Sequence, residues 1–215
     1  MDDMNDLVVH IPAGEVALDG VLTVPEGAGA VVVFAHGAGS DRKSHRNLYT
    51  AGHLNEAGVG TLLFDLLTPE EKEAYRQNVF DIGRLTERLV AVTRWLMSQP
   101  ETKGKKIGFL GASTGAAAAL NAAARLGNRI SAAVSRGGRP DLAEQDHLKE
   151  ISAPTMFIIG ANDTEVIEAS KPPYAKLVCQ KDWKLVPGAT HVFEEAGTLE
   201  IAAQLALDFL KKHLT

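Results

Sequence analysis

Only one cysteine, Cys179, occurs in 215 residues. A lone thiol cannot close a disulfide within the chain, which excludes the cross-linked scaffolds of small secreted domains. Aromatic residues are sparse at 6%, and Trp95 and Trp183 read as packing residues. No apolar run approaches the ~20 residues that span a bilayer, so no membrane partner is expected. Positive charge is in deficit: 22 Lys and Arg face 27 Asp and Glu, for a net charge of -5. That balance argues against a nucleic-acid surface, which is usually basic. Glycine and proline, at 20 and 9, are too few for a collagen-like or disordered chain. The first residues, Met1-Asp2-Asp3-Met4-Asn5-Asp6, carry no positive stretch followed by an apolar one. A cytoplasmic location is therefore expected.

What is present is an average globular composition, 45% hydrophobic and 23% charged, enough for one domain over residues 1–215. Apolar β-branched runs alternate with longer helical stretches. Leu7 to Ile11 and Glu15 to Val24 read as a hairpin broken at Pro12-Ala13-Gly14. Ala30 to Ala35 is apolar without alternation, as expected of a strand covered on both faces. Val59 to Leu67, Lys106 to Leu110, Ile130 to Val134, Pro154 to Gly160 and Lys184 to Pro187 read as further strands. Helices are expected at His45 to Ala57, Asp81 to Gln99, Thr114 to Leu126, Glu165 to Leu177 and Thr198 to Leu210. Ile82, Leu85, Leu89, Val92 and Leu96 recur every three or four residues along one helix face. Repeated strand–helix units imply an α/β fold, a mostly parallel sheet of about eight strands with helices on both faces.

In such sheets the chemistry gathers at the carboxyl ends of the strands. The strand ending at Leu110 runs into Gly111-Ala112-Ser113-Thr114-Gly115 and then a helix. This G-x-S-x-G pattern is short enough to recur by chance, and its placement between a strand and a helix gives it weight. A turn that tight strains the serine backbone and lifts its hydroxyl above the sheet. A serine needs a base to take its proton and a third group to orient that base. Of seven histidines, His191 lies in a loop just past the last strand. Asp163 directly follows the strand ending at Gly160, where it also reads as a helix N-cap. Glu165 and Asp141 are further carboxylates for the same role. The order Ser113, Asp163, His191 is that of α/β-hydrolases. Oxyanion donors are expected from the Ala38 N–H, in His36-Gly37-Ala38-Gly39-Ser40, and from the Thr114 N–H. His36 reads as a brace for that loop.

With these residues in order, the chain resembles the α/β-hydrolase superfamily, and more narrowly small lidless serine esterases of the dienelactone-hydrolase-like group. The resemblance spans almost the whole chain. It implies a three-layer fold without a cap domain, an acyl-enzyme route to small carboxylic esters or lactones, and no metal or organic cofactor. One departure stands out: dienelactone hydrolases proper use a cysteine nucleophile, and here the position is Ser113. Only Ser135 to Ala153 separates two strands where lids are commonly inserted, so an open site for small-molecule substrates is expected. Arg136 and Arg139, on Ser135-Arg136-Gly137-Gly138-Arg139-Pro140-Asp141, are candidates to bind a substrate carboxylate. An ion pair between one of them and Asp141 is the alternative. Tyr75 is a candidate pocket wall. Cys179 reads as an inert thiol. A thioesterase or amidase would use the same residues, and a non-catalytic ligand-binding module could share the fold. A nucleotide-binding reading fails on spacing, because neither G-x-G-x-x-G nor a P-loop pattern is present. A monomer or homodimer is expected.

Overall fold

The β3 strand, Ala30–Ala35, is buried at every position. Its alternate residues serve two different cores. Val31, Val33 and Ala35 join the apolar cluster on one face of the sheet, and Ala30, Val32 and Phe34 join the cluster on the other. That is the period of two of a pleated strand, read out as a sheet covered on both sides.

The computed structural model describes residues 6–74 and 80–214. Eight strands form one sheet in the order β1-β2-β4-β3-β5-β6-β7-β8. These are β1 (Asp6–Ala13), β2 (Val16–Thr23), β3, β4 (Gly60–Phe64), β5 (Lys106–Ser113), β6 (Ile130–Gly138), β7 (Thr155–Gly160) and β8 (Lys181–Val186). The pairs β1–β2 and β2–β4 are antiparallel, and the others are parallel. The helices are α1 (His45–Glu56), α2 (Pro69–Ala74), α3 (Ile82–Ser98), α4 (Thr114–Leu126), α5 (Thr164–Lys176) and α6 (Thr198–Leu214). Apolar residues of α3, α4 and α5 pack on one face, and those of α1 and α6 on the other. This is the three-layer α/β-hydrolase fold, with the expected antiparallel hairpin at its start.

The strand boundaries differ from expectation at informative places. β4 stops at Phe64. The Asp65 N–H still donates to the Asp19 carbonyl of β2 at 3.0 Å, but the side chains and backbone beyond Phe64 turn to the loop after β3. The Asp65 carboxylate receives the Arg42 N–H at 3.1 Å and an ion pair from the Arg42 guanidinium, and the Leu66 N–H donates to His36 Nε2 at 3.0 Å. β6 runs four residues further than expected, through Gly138, because Arg136 still pairs with Ile158 and Gly138 with Ser113. β1 keeps Pro12, which a strand at the sheet edge tolerates since its missing N–H faces no partner.

The topology also places a crevice. From β3 the chain steps outward to β4 and returns on the other side to β5. Strands that part in this way leave a gap at their carboxyl ends. The loops after β3 and β5 both open there.

Candidate active site

Ser113 ends β5 and caps α4 with φ +48° and ψ -124°, a conformation most side chains avoid. Its neighbours explain how the turn is held. A Cβ on Gly111 would lie 2.5 Å from the Ala116 Cα, and one on Gly115 would lie 2.1 Å from the Ala35 carbonyl oxygen. Each glycine of the G-x-S-x-G pattern is thus required by backbone packed against it. The alanines that follow, Ala116 to Ala119, are all buried, so α4 lies close on the sheet.

His191 and Asp163 come together from separate loops. His191 Nδ1 lies 2.7 Å from Asp163 Oδ2. Asp163 Oδ1 accepts the Val166 N–H at 3.3 Å, so the same carboxylate also caps α5. The N-cap and the histidine partner were alternatives in the sequence, and the structure gives Asp163 both contacts. Glu165 and Asp141 do not take the His191 position. The loop carrying His191 is pinned at its far end: Glu195 accepts the Thr190 hydroxyl at 2.6 Å and the Thr190 N–H at 3.1 Å. These bonds hold the Glu195 carboxyl below its ordinary pKa. Within the loop, buried Phe193 has φ +56°, a strained state for an aromatic residue. Nothing in the sequence signals that strain.

Ser113 and His191 line one cleft of about 110 Å³, together with Gly37, Ala38, Asn47 and Arg136. Arg136 is 4% exposed. Its guanidinium donates to the Thr50 hydroxyl at 2.9 Å, Asn47 Oδ1 at 3.0 Å and the Arg46 carbonyl at 3.3 Å. None of these acceptors is charged. Burial, and the nearby Arg46 cation, pull its pKa down to about 10. A buried cation without a counter-charge is costly unless something anionic compensates it. Arg139, by contrast, makes a two-pronged pair with Asp141 at 2.8 and 2.9 Å and does not line the cleft. The two arginines therefore part company: the ion-pair alternative fits Arg139, and the cleft holds Arg136. Tyr75 lies outside the described residues.

His36 sits beneath the β3 loop, 6% exposed. Its Nε2 accepts from the Leu66 N–H, which leaves the proton on Nδ1 to donate to the Gly37 carbonyl at 3.0 Å. Both nitrogens are used, and burial pushes its pKa below the ordinary value. It braces the loop, as its position in the sequence suggests. The Ala38 N–H donates to the Thr114 hydroxyl at 2.9 Å, a contact the sequence did not disclose. Among the described residues no cluster of three or more His, Cys, Asp or Glu is arranged to hold a metal. No helix among them is long and apolar enough to cross a membrane.

The Dienelactone hydrolase family pattern matches residues 18–212. The crystal structure of a dienelactone hydrolase from Anabaena variabilis ATCC 29413 is 46% identical, with a TM-score of 0.96 over 99% of each chain. Two Mycobacterium tuberculosis proteins, each named putative phosphoribosyl transferase, are 52% identical over 211 residues. That alignment takes in 98% of this chain and 47% of theirs, so the chain spans about half the length of these relatives. An esterase from Pyrococcus furiosus has a TM-score of 0.81 at 20% identity, covering 99% of this chain and 94% of that one. At that identity the likeness is one of fold.

Proposed function

This chain belongs to the dienelactone hydrolase family, and on that premise we propose that it is a serine hydrolase of small carboxylic esters or lactones. The observation that carries the proposal is the 2.7 Å contact of His191 with Asp163 beside a strained Ser113 in the same cleft. Asp163 engages Nδ1, so Nε2 is the nitrogen left to serve Ser113. In the proposed reaction Ser113 Oγ attacks the carbonyl carbon as its proton passes to His191 Nε2. We assign the Ala38 and Thr114 N–H groups to the oxygen that becomes negative, the Ala38 N–H donating to Thr114 Oγ1 at 2.9 Å before that charge develops. His191 then gives the proton to the departing alkoxide, and a water activated by His191 releases the acid. Asp163 keeps the histidine in the right tautomer and stabilises its cation.

Arg136 gives the proposal a substrate preference. A carboxylate on the acyl portion would supply the anion that its buried guanidinium lacks, through charge-assisted hydrogen bonds. The transferase name of the mycobacterial relatives belongs to proteins about twice as long as the shared region. We assign the hydrolase role to that shared region. The test is labelling with a fluorophosphonate probe followed by peptide mapping, on the wild type and on His191→Ala. Label on Ser113 that is lost in His191→Ala is the expected result. A folded wild type that takes no label would favour a non-catalytic binding module instead.

A further inference from the structure

A third polar group lies beside the two N–H groups assigned to the oxyanion. The Thr114 hydroxyl accepts the Ala38 N–H at 2.9 Å. Thr114 is also the first residue of α4, and Ser113 offers that helix no side-chain cap. The first N–H groups of a helix have no partner within it, so the Thr114 N–H is free to meet an incoming anion. Oγ1 is only three bonds from that nitrogen, which places it about 2.8–3.6 Å away in any staggered rotamer. The hydroxyl oxygen therefore lies within about 4 Å of both proposed donor nitrogens.

Thr114 is 2% exposed. Among the described residues its hydroxyl receives a hydrogen bond, but no acceptor takes its own hydrogen. A hydroxyl is both donor and acceptor, and a buried one ordinarily uses both capacities. An oxyanion held by the Ala38 and Thr114 N–H groups would lie in contact with Oγ1. Two oxygens that close repel unless a proton lies between them. The hydroxyl's own hydrogen can lie there, and turning it costs a single bond rotation.

Resting on the serine-hydrolase proposal above, we infer that the Thr114 side chain is a third oxyanion donor. Its hydroxyl hydrogen turns to the oxyanion while the Ala38 N–H forks between Oγ1 and that same oxygen. Before charge develops, the hydroxyl oxygen keeps the Ala38 N–H satisfied. As charge develops, the same group becomes a donor, and the Ala38 N–H polarises it. This contact forms only with the tetrahedral species, so it raises kcat and leaves KM nearly unchanged. A hydroxyl that served merely as a strut between the β3 loop and α4 would not show that division.

The experiment compares wild type, Thr114→Val and Thr114→Ser in hydrolysis of p-nitrophenyl butyrate and in inhibition by an aryl trifluoromethyl ketone, whose hemiketal carries the oxyanion. Thr114→Val is expected to lower kcat by about 100-fold, the scale of one oxyanion donor, with KM within about two-fold. Its inhibition constant for the ketone should weaken by the same factor as kcat/KM. Thr114→Ser should restore kcat to within about five-fold, since it returns the hydroxyl. If Thr114→Val does not fold, Thr114→Ala takes its place with the same expectations. A valine variant at wild-type kcat or faster overturns the inference, as does a serine variant as slow as valine. Ketone affinity that holds while kcat falls overturns it too. A wild type that neither hydrolyses the ester nor labels at Ser113 overturns the serine-hydrolase proposal itself, and with it this role.

Discussion

Gly115→Ala puts one methyl group where the fold has no room for it. The added Cβ would stand 2.1 Å from the Ala35 carbonyl oxygen and 2.5 Å from that of His36. Both are backbone atoms at the end of β3, so no side chain can swing aside. Opening 2.1 Å to the 3.0 Å that real Cβ contacts reach requires about 0.9 Å of movement. That movement must come from the first turn of α4 or from the end of β3. The first carries Ser113 and the Thr114 N–H, and the second leads into Ala38. A misplacement of about 1 Å at reacting groups costs on the order of 100-fold in rate. Overpacking of this kind costs about 1–3 kcal/mol of stability. For a domain of this size that lowers Tm by roughly 2–4 °C per kcal/mol. Melting and the rate of fluorophosphonate labelling at Ser113 measure the two effects separately. Gly104→Ala is the companion variant: φ is +81° there and nothing lies within 4 Å of the added carbon. It should lose about 1–2 kcal/mol from the left-handed backbone alone and label at the wild-type rate. The reasoning is refuted if Gly115→Ala labels as fast as wild type, or if Gly104→Ala slows labelling equally.

Three further expectations follow from contacts at the site. Asp163→Asn keeps a capping oxygen for Val166 but loses the charge facing His191. Its kcat should fall by about 1,000-fold or more with little change in Tm, whereas Asp163→Ala should also lose roughly 0.5–2 kcal/mol of stability with the cap; equal Tm values for the two variants would refute the double role. Arg136→Met should lower kcat/KM for an aryl hemisuccinate about 10-fold or more relative to the uncharged aryl butyrate, and Arg139→Gln should leave that ratio alone; an unchanged ratio in Arg136→Met removes Arg136 from substrate recognition. For His36 the folded pKa is lowered by burial, so the unfolded chain takes up a proton first as pH falls. Stability should therefore drop as pH falls below about 6.5, the unfolded value. Urea midpoints between pH 7.5 and 5 should shift less in His36→Gln than in wild type, and a parallel shift would show that other groups set the dependence.

The sequence carried the layered fold because its signals are redundant. Continuous apolar runs such as Ala30–Ala35 mark strands buried on both faces, and the spacing of Leu85, Leu89, Val92 and Leu96 marks a buried helix stripe. Boundaries were legible only where hydrophobicity sets them. β8 begins at Lys181 and not at Lys184, because an edge strand keeps its backbone ladder through the charged, half-buried Lys181 and Asp182 to Trp183, whose ring packs on the core. β6 continues past Val134 through Ser135, Arg136 and Gly138, which pair by backbone around a register shift at Gly137 but announce a loop by type. The same limit applies at the site. Ser113, Asp163 and His191 could be picked out because each follows a recognisable strand. The different fates of Arg136 and Arg139 could not, since both sit in one short segment. What separates them is which way the backbone turns after Gly137, at φ +49°.

That turn at Gly137 points to how the histidine is held. A Cβ there would lie 2.7 Å from the His191 carbonyl oxygen, and a Cβ on Gly160 would lie 2.4 Å from that of Ala189 and 2.5 Å from that of Thr190. The His191 loop thus rests directly on the backbone of β6 and β7, without side chains between. Phe193, strained at φ +56°, packs its ring against the same Gly137. A strained residue of this kind costs about 1–3 kcal/mol and persists only where its surroundings leave no alternative. Here those surroundings are the bare backbone of β6 and β7, the Glu195 clamp on Thr190 and the burial of the Phe193 ring. Ser113 is held in the same manner by Ala35 and Ala116. Both halves of the site are therefore fixed by direct backbone contact with the sheet, so their separation is set by the spacing of β5, β6 and β7. That spacing is imposed by backbone hydrogen bonds and changes little with sequence. It follows that substitutions on the outer faces of α3 or α6 should alter stability far more than geometry at Ser113 and His191, whereas any side chain added at Gly115, Gly137 or Gly160 acts on the site itself.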